Sequence, residues 1–195
     1  MADYPALADA VESVAHLLRE HVTNSGEPVI AGIQIDLRSP RELELATTTD
    51  VVSVWLYHLE VQPDQRNAPA ERVAPDVRRR PLPLDLYLLI SPVHQDPRTA
   101  QILLGRIAQV VDDHARLPEA SLSGSLAGTA TALRLRLGAI PPTDVGSLWL
   151  GLQTNRRPGL VVMVQGLTVD SHLAPTQPPV VLSESGRYAQ IVAVG

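Results

Sequence analysis

The chain contains no cysteine and no phenylalanine. The first absence removes disulfides, thiolate metal sites and thiol nucleophiles together, so folding does not depend on an oxidising compartment. The second, with only two Trp and four Tyr in 195 residues, leaves the core to be assembled from Leu, Val, Ile and Ala. No apolar run approaches the ~18 residues of a membrane helix, and the N-terminal Met-Ala-Asp-Tyr-Pro has neither part of a secretory signal, which predicts a protein made and kept in the cytoplasm or carried out by something other than a signal peptide. A formal charge of -5 argues against a nucleic-acid partner, which calls for a basic face.

Catalytic arrangements are missing as well. The Ser/Gly/Ala-rich stretch 118–131 has neither the Gly-x-Ser-x-Gly order of a nucleophile elbow nor the Gly-Lys-Ser/Thr ending of a phosphate loop. Asp112, Asp113 and His114 have the residue types of an acid–base or metal site, but neighbours on a helix diverge by about 100° and do not converge unaided. His16 and His21 lie five apart, where helical metal ligands lie three or four apart. These spacings predict no enzyme, no cofactor and no metal.

An apolar fraction of 45% is present, enough for one ordinary globular core. Leu7, Val11, Val14, Leu18 and Val22 line one face of a helix over 5–23. From Val29 to Leu37 the period changes to two, which predicts a half-buried strand, and 38–49 reads as a connection. Residues 50–61 and 81–91 read as central strands, apolar on both faces. The insert between them is too short and proline-rich for a crossover helix, so the two are expected to pair antiparallel. Trp55 and Tyr57 share a face, which predicts sheet packing beneath a helix.

The insert 62–80 carries Arg66, Asn67, Arg72, Arg78, Arg79 and Arg80 and reads as an exposed loop. Such a charge run is ordinarily a solvated face; the alternative is an adaptor that holds an acidic protein partner through it. Asp96-Pro97 opens a helix running to His114, and 118–131 reads as a flexible linker. Leu133, Leu135 and Leu137 alternate with Arg134 and Arg136 in a strand with a basic outer face, Pro141-Pro142 starts a short helix to Leu152, and 159–170 forms another strand. Pro175, Pro178 and Pro179 then detach a tail with two β-prone pieces, around Val180-Val181-Leu182 and Tyr188 to Val194. The expected organisation is one domain over 1–174 and a tail over 175–195. Its class is α/β or α+β, with a single mixed, largely antiparallel sheet of five or six strands, two long helices and one short helix.

An ordered set of short motifs adds to this reading. Val54-Trp55-Leu56-Tyr57, then Arg66-Asn67, then Pro81 to Ser91, then Leu104-Gly105 and Leu148-Trp149 resembles the cap, or tail-terminator, proteins of extracellular contractile injection systems of the antifeeding-prophage and virulence-cassette type. The resemblance runs from residue 7 to about 172. It implies a structural, non-enzymatic protein whose copies form a hexameric ring on the last layer of inner tube and sheath and help to set particle length. It also implies assembly in the cytoplasm into a particle that is later released, with one surface on the tube and one at which β-strand addition meets the sheath. Candidate contact residues are Arg66, Asn67, Arg78, Arg79, Arg80, Arg156 and Arg157, with Val180, Val181, Leu182, Tyr188, Ile191 and Val192 in the tail. One departure stands out: similar proteins tend to have a Tyr-Arg pair entering the last core strand, and this chain has Arg156-Arg157-Pro158-Gly159 there.

Overall fold

A computed structural model describes residues 3–62, 71–73, 76–78, 80–129, 132–138 and 142–173. The first helix, α1 (Ala6–Leu18), runs on into a π-helical turn, Arg19–Thr23, and is followed by β1 (Gln34–Asp36), α2 (Pro40–Leu45) and β2 (Val51–Val61). A hairpin of β3 (Glu71–Val73) and β4 (Asp76–Arg78) precedes the long strand β5 (Leu82–Val93). Next come α3 (Pro97–Asp113), β6 (Arg116–Leu117), two 3-10 turns, β7 (Leu133–Gly138), α4 (Pro142–Leu152) and β8 (Leu160–Val169). Six strands form one sheet in the order β1-β2-β5-β8-β7-β6, antiparallel except for the β1–β2 pair. The expected mixed α+β class, the strand count and the antiparallel pairing of β2 with β5 all hold.

β5 is central because its sequence suits nothing else. It is buried along nearly its whole length and paired on both edges, with β2 and β8. Its prolines sit where a missing N–H is tolerated. Pro92 lies beyond Ile90, the last residue with a partner on β8, and Pro83 lies at the strand start, where its carbonyl accepts from the Gln62 N–H at 3.2 Å. A bulge at Tyr57 in β2 and another at Gln165-Gly166 in β8, opposite Asp85, add local twist.

The sheet has two unlike faces. One carries Val52, Val54, Leu86, Leu88, Ile90, Leu133, Leu135, Val162 and Val164 against α1 and α3, and this main core contains no aromatic side chain. The other holds a smaller cluster in which Trp149 and Leu152 of α4 cover Leu89 and Val161, with Trp55, Tyr57, Tyr87 and Leu148 at its margin. Trp55 and Tyr57 therefore do share a face, in the cluster beneath α4.

Four local readings need correction. The strand expected over 29–37 is only Gln34–Asp36 long; 27–32 is a turn closed by Ile30 and Ala31 N–H bonds to the Glu27 carbonyl, so Ile30 enters the core and Val29 and Leu37 are exposed. The connection 38–49 contains α2, opened by a capping box in which the Glu42 N–H donates to Ser39 Oγ and Ser39 N–H donates to the Glu42 carboxylate. The insert 62–80 includes the β3–β4 hairpin rather than loop alone. The stretch 118–129 is anchored rather than flexible. Leu122 and Leu126 are buried, the Ser123 N–H donates to Ser13 Oγ at 2.9 Å, and both N–H and hydroxyl of Ser125 donate to Asp9 Oδ2, at 2.8 and 2.6 Å.

Asp9 thus ties a turn more than a hundred residues away to α1. Gly124, at φ +57°, has no room for a side chain, because a Cβ there would strike the Asp9 carboxylate. Asp9→Ala should lose about 1–3 kcal/mol in urea denaturation, the cost of unpairing partly buried donors, and Gly124→Ala should lose a comparable amount. Unchanged midpoints in both variants would contradict the anchoring role.

Candidate interaction surfaces

Two of the sequence-predicted contact residues are brought together. Arg156 and Arg157, in the turn between α4 and β8, line a groove of about 570 Å³ with Leu89, Trp149, Gly138 and Val161. Arg157 is engaged within the chain, where its Nε and Nη2 donate to Glu44 Oε1 at 3.0 and 2.6 Å. Thr154 Oγ1 donates to the other oxygen of Glu44, so the carboxylate clamps the turn before β8 to α2. Burial works to raise the Glu44 carboxyl, but the hydrogen bonds from Thr154 and Arg157, with the Arg157 charge, outweigh it and hold it below the usual range. Arg156 is exposed and, among the described residues, has no hydrogen-bond or ion-pair partner.

Other predicted contacts scatter. Arg80 is exposed just before β5, and Arg78 closes β4 opposite Glu71. Arg66, Asn67, Arg79, Val180, Val181, Leu182, Tyr188, Ile191 and Val192 lie outside the described residues.

The aromatic margin of the second face was the feature least visible in the sequence. Tyr57 and Tyr87 meet edge-on at 6.3 Å, Trp55 lies 6.2 Å from Tyr57, and His58 lies 5.3 Å from Tyr87. Tyr87 donates its hydroxyl to Glu60 at 2.8 Å, and that bond, helped by burial and the Glu60 charge, pushes the phenol up to about 12. Four of the six Trp and Tyr side chains thus gather on a face that α4 only partly covers. Half-buried aromatics of this kind are typical interface anchors.

A third arrangement follows β7. Arg134 and Arg136 point away from the main core, as their alternation with leucines predicts, and both are exposed. The register sets Arg116 of β6 directly opposite Arg134. His21 and His114 stack at 4.5 Å, with His114 Nδ1 donating to the Val110 carbonyl, but among the described residues no group of three His, Cys, Asp or Glu could hold a metal. None of the described helices is long and apolar enough to cross a membrane.

A mixed sheet with helices of this order is found in solved structures of other proteins. The same fold occurs in a sheath/tube terminator of the PVC extracellular contractile injection system in its extended state, with 16% identity and a TM-score of 0.59 over 96% of this chain and 65% of that one. It occurs again in the anti-feeding prophage tube-terminating cap, with 16% identity and a TM-score of 0.56 over 91% of this chain and 59% of that one. At such identity the likeness is one of fold, and the chain spans about two thirds or less of the length of these proteins. No curated protein sequence matches it. The chain belongs to the Pvc16 N-terminal domain family, whose model matches residues 9–183.

The Glu44 clamp has a pH signature. A carboxyl held low in the folded state stabilises above its unfolded value, near 4.5, and loses that contribution as pH falls through its folded value. Wild type should therefore exceed Glu44→Gln by roughly 1 kcal/mol at neutral pH, with the gap closing on acidification below the unfolded value. A gap that stays constant across that window would rule out the charged clamp.

Proposed function

We propose that the chain is a terminator subunit that ends the inner tube and sheath of a contractile injection particle. The observation that carries this reading is the family match across residues 9–183, supported by the shared fold with two named terminators. Its copies form a hexameric ring on the last layer of the tube, and the ring stops polymerisation and helps to set particle length. The work is done by contact rather than by turnover: the chain is not an enzyme, and the arrangement of its surfaces calls for neither cofactor nor metal. Assembly takes place in the cytoplasm, and the particle is released afterwards.

Within this reading the body over 1–174 forms the ring and the tail over 175–195 makes an outer contact. Val180, Val181, Leu182, Tyr188, Ile191 and Val192 supply β-prone segments for strand addition at the sheath. Arg66, Asn67, Arg78, Arg79, Arg80 and Arg156 supply polar contacts to tube or neighbouring copies. Arg157 acts indirectly, by holding the turn that presents Arg156. The half-covered aromatic face supplies apolar anchors for a neighbour.

Two measurements test the proposal. Particles produced without this chain should have tubes and sheaths of scattered length in negative-stain images, whereas uniform particles of unchanged length would reject the terminator role. The mass of the purified protein, alone and with tube protein, should include a hexamer; a strict monomer under both conditions would reject the ring.

A further inference from the structure

The basic outer face of β7 has an arrangement that the fold does not require. Arg116 and Arg134 are direct cross-strand partners on the short edge strand and its neighbour, and like charges placed opposite each other disfavour the sheet. Arg136 follows two residues along β7 on the same face, about 7 Å further. All three are exposed, and among the described residues none has a hydrogen-bond or ion-pair partner. Their leucine neighbours Leu117, Leu133 and Leu135 are buried in the core, so the strands would be equally amphipathic with any polar residue in the arginine positions.

The same face continues into the groove. Gly138, next in the row after Arg134 and Arg136, pairs with Val161, and both line the 570 Å³ groove whose rim carries the partnerless Arg156. A side chain at 138 would press on Val161 Cγ1, 3.2 Å from an ideal Cβ, so glycine keeps this end of the groove open. Four guanidinium groups therefore flank a track of about 13 Å along β7 that ends over an apolar floor of Leu89, Trp149 and Val161.

We infer that this track is a docking surface for an acidic protein segment that lays its carboxylates on Arg116, Arg134 and Arg136 and inserts one apolar side chain between Trp149 and Arg156. Charge complementarity selects the carboxylates, and the apolar floor selects a protein side chain over a nucleic acid, whose phosphates would have to lie against Leu89, Trp149 and Val161. The track is also short, and the chain as a whole is negative at -5, which opposes the approach of a long polyanion. This inference stands apart from the terminator reading, because it rests on the register and the groove alone.

The test uses the full chain and fluorescence anisotropy with a labelled peptide of six glutamates around a central leucine. Binding should weaken with salt, fall roughly tenfold or more in the double variant Arg134→Gln, Arg136→Gln, and stay unchanged in Arg98→Gln, an exposed arginine in the first turn of α3 that does not line the groove. The same peptide with serine in place of leucine should bind several-fold more weakly. Arg134→Glu separates binding from folding: it sets a carboxylate opposite Arg116, so the melting temperature should rise or hold while peptide binding is lost. Equal binding by the double variant, equal affinity for the two peptides, tighter binding of a DNA duplex through the same arginines, or no peptide binding at about 1 mM would each overturn the inference.

Discussion

β5 is held from every side, and that confinement sets the position of every other element. A strand paired on both edges and buried on both faces must be satisfied by β2 and β8 along its backbone and by helices above and below its side chains. Because Phe is absent, the main face fills its volume with aliphatic side chains from α1, α3 and all six strands of the sheet. Such a core depends on many small contacts, each worth little singly. The buried polar groups fit the same logic. Ser53 Oγ donates to the Arg38 carbonyl, Ser91 Oγ to the Pro158 carbonyl, and Asp85 accepts from Gln62 and Gln165, so each ties a neighbouring segment to the central strands.

The two sheet faces divide the work of the molecule. The aliphatic face is sealed by two helices and by a turn pinned to Asp9, and it supplies stability. The opposite face has the eleven-residue α4, the short α2 whose Leu43 covers Val51 and Val93, four of the chain's aromatics, the basic row of β7 and the groove beside Arg156. Under the proposed terminator role, a subunit that stacks on a polymer end needs one rigid side and one side open to neighbours. Placing the aromatics outside the core meets that need without weakening the core.

Much of this was legible in the sequence because periodicity survives folding. The helices at 6–18 and 97–113, the strands at 51–61, 82–93, 133–138 and 160–169 and the antiparallel central pair follow from spacing and proline placement. The turn at 27–32 misled because its alternation of apolar and polar residues imitates a strand, and only the backbone bonds to Glu27 reveal otherwise. Ser39-Pro40-Arg41-Glu42 carried a readable capping signature for α2, whereas the anchoring of 118–129 was unreadable, since its partner Asp9 is remote in sequence. The surfaces were less legible still. No local pattern shows that Arg157 pairs with Glu44, more than a hundred residues away, and the pairing of Arg116 with Arg134 depends on a register that no local pattern encodes.

The family match and the shared fold support an end-of-tube role, and position is what such a role demands. The most direct measurement is cryo-electron microscopy of assembled particles in which this chain carries a density tag. A single tagged layer at one end of the tube, beyond the last tube ring, is the expected result. Tag density repeated along the sheath, or none at either end, would contradict the role of terminator.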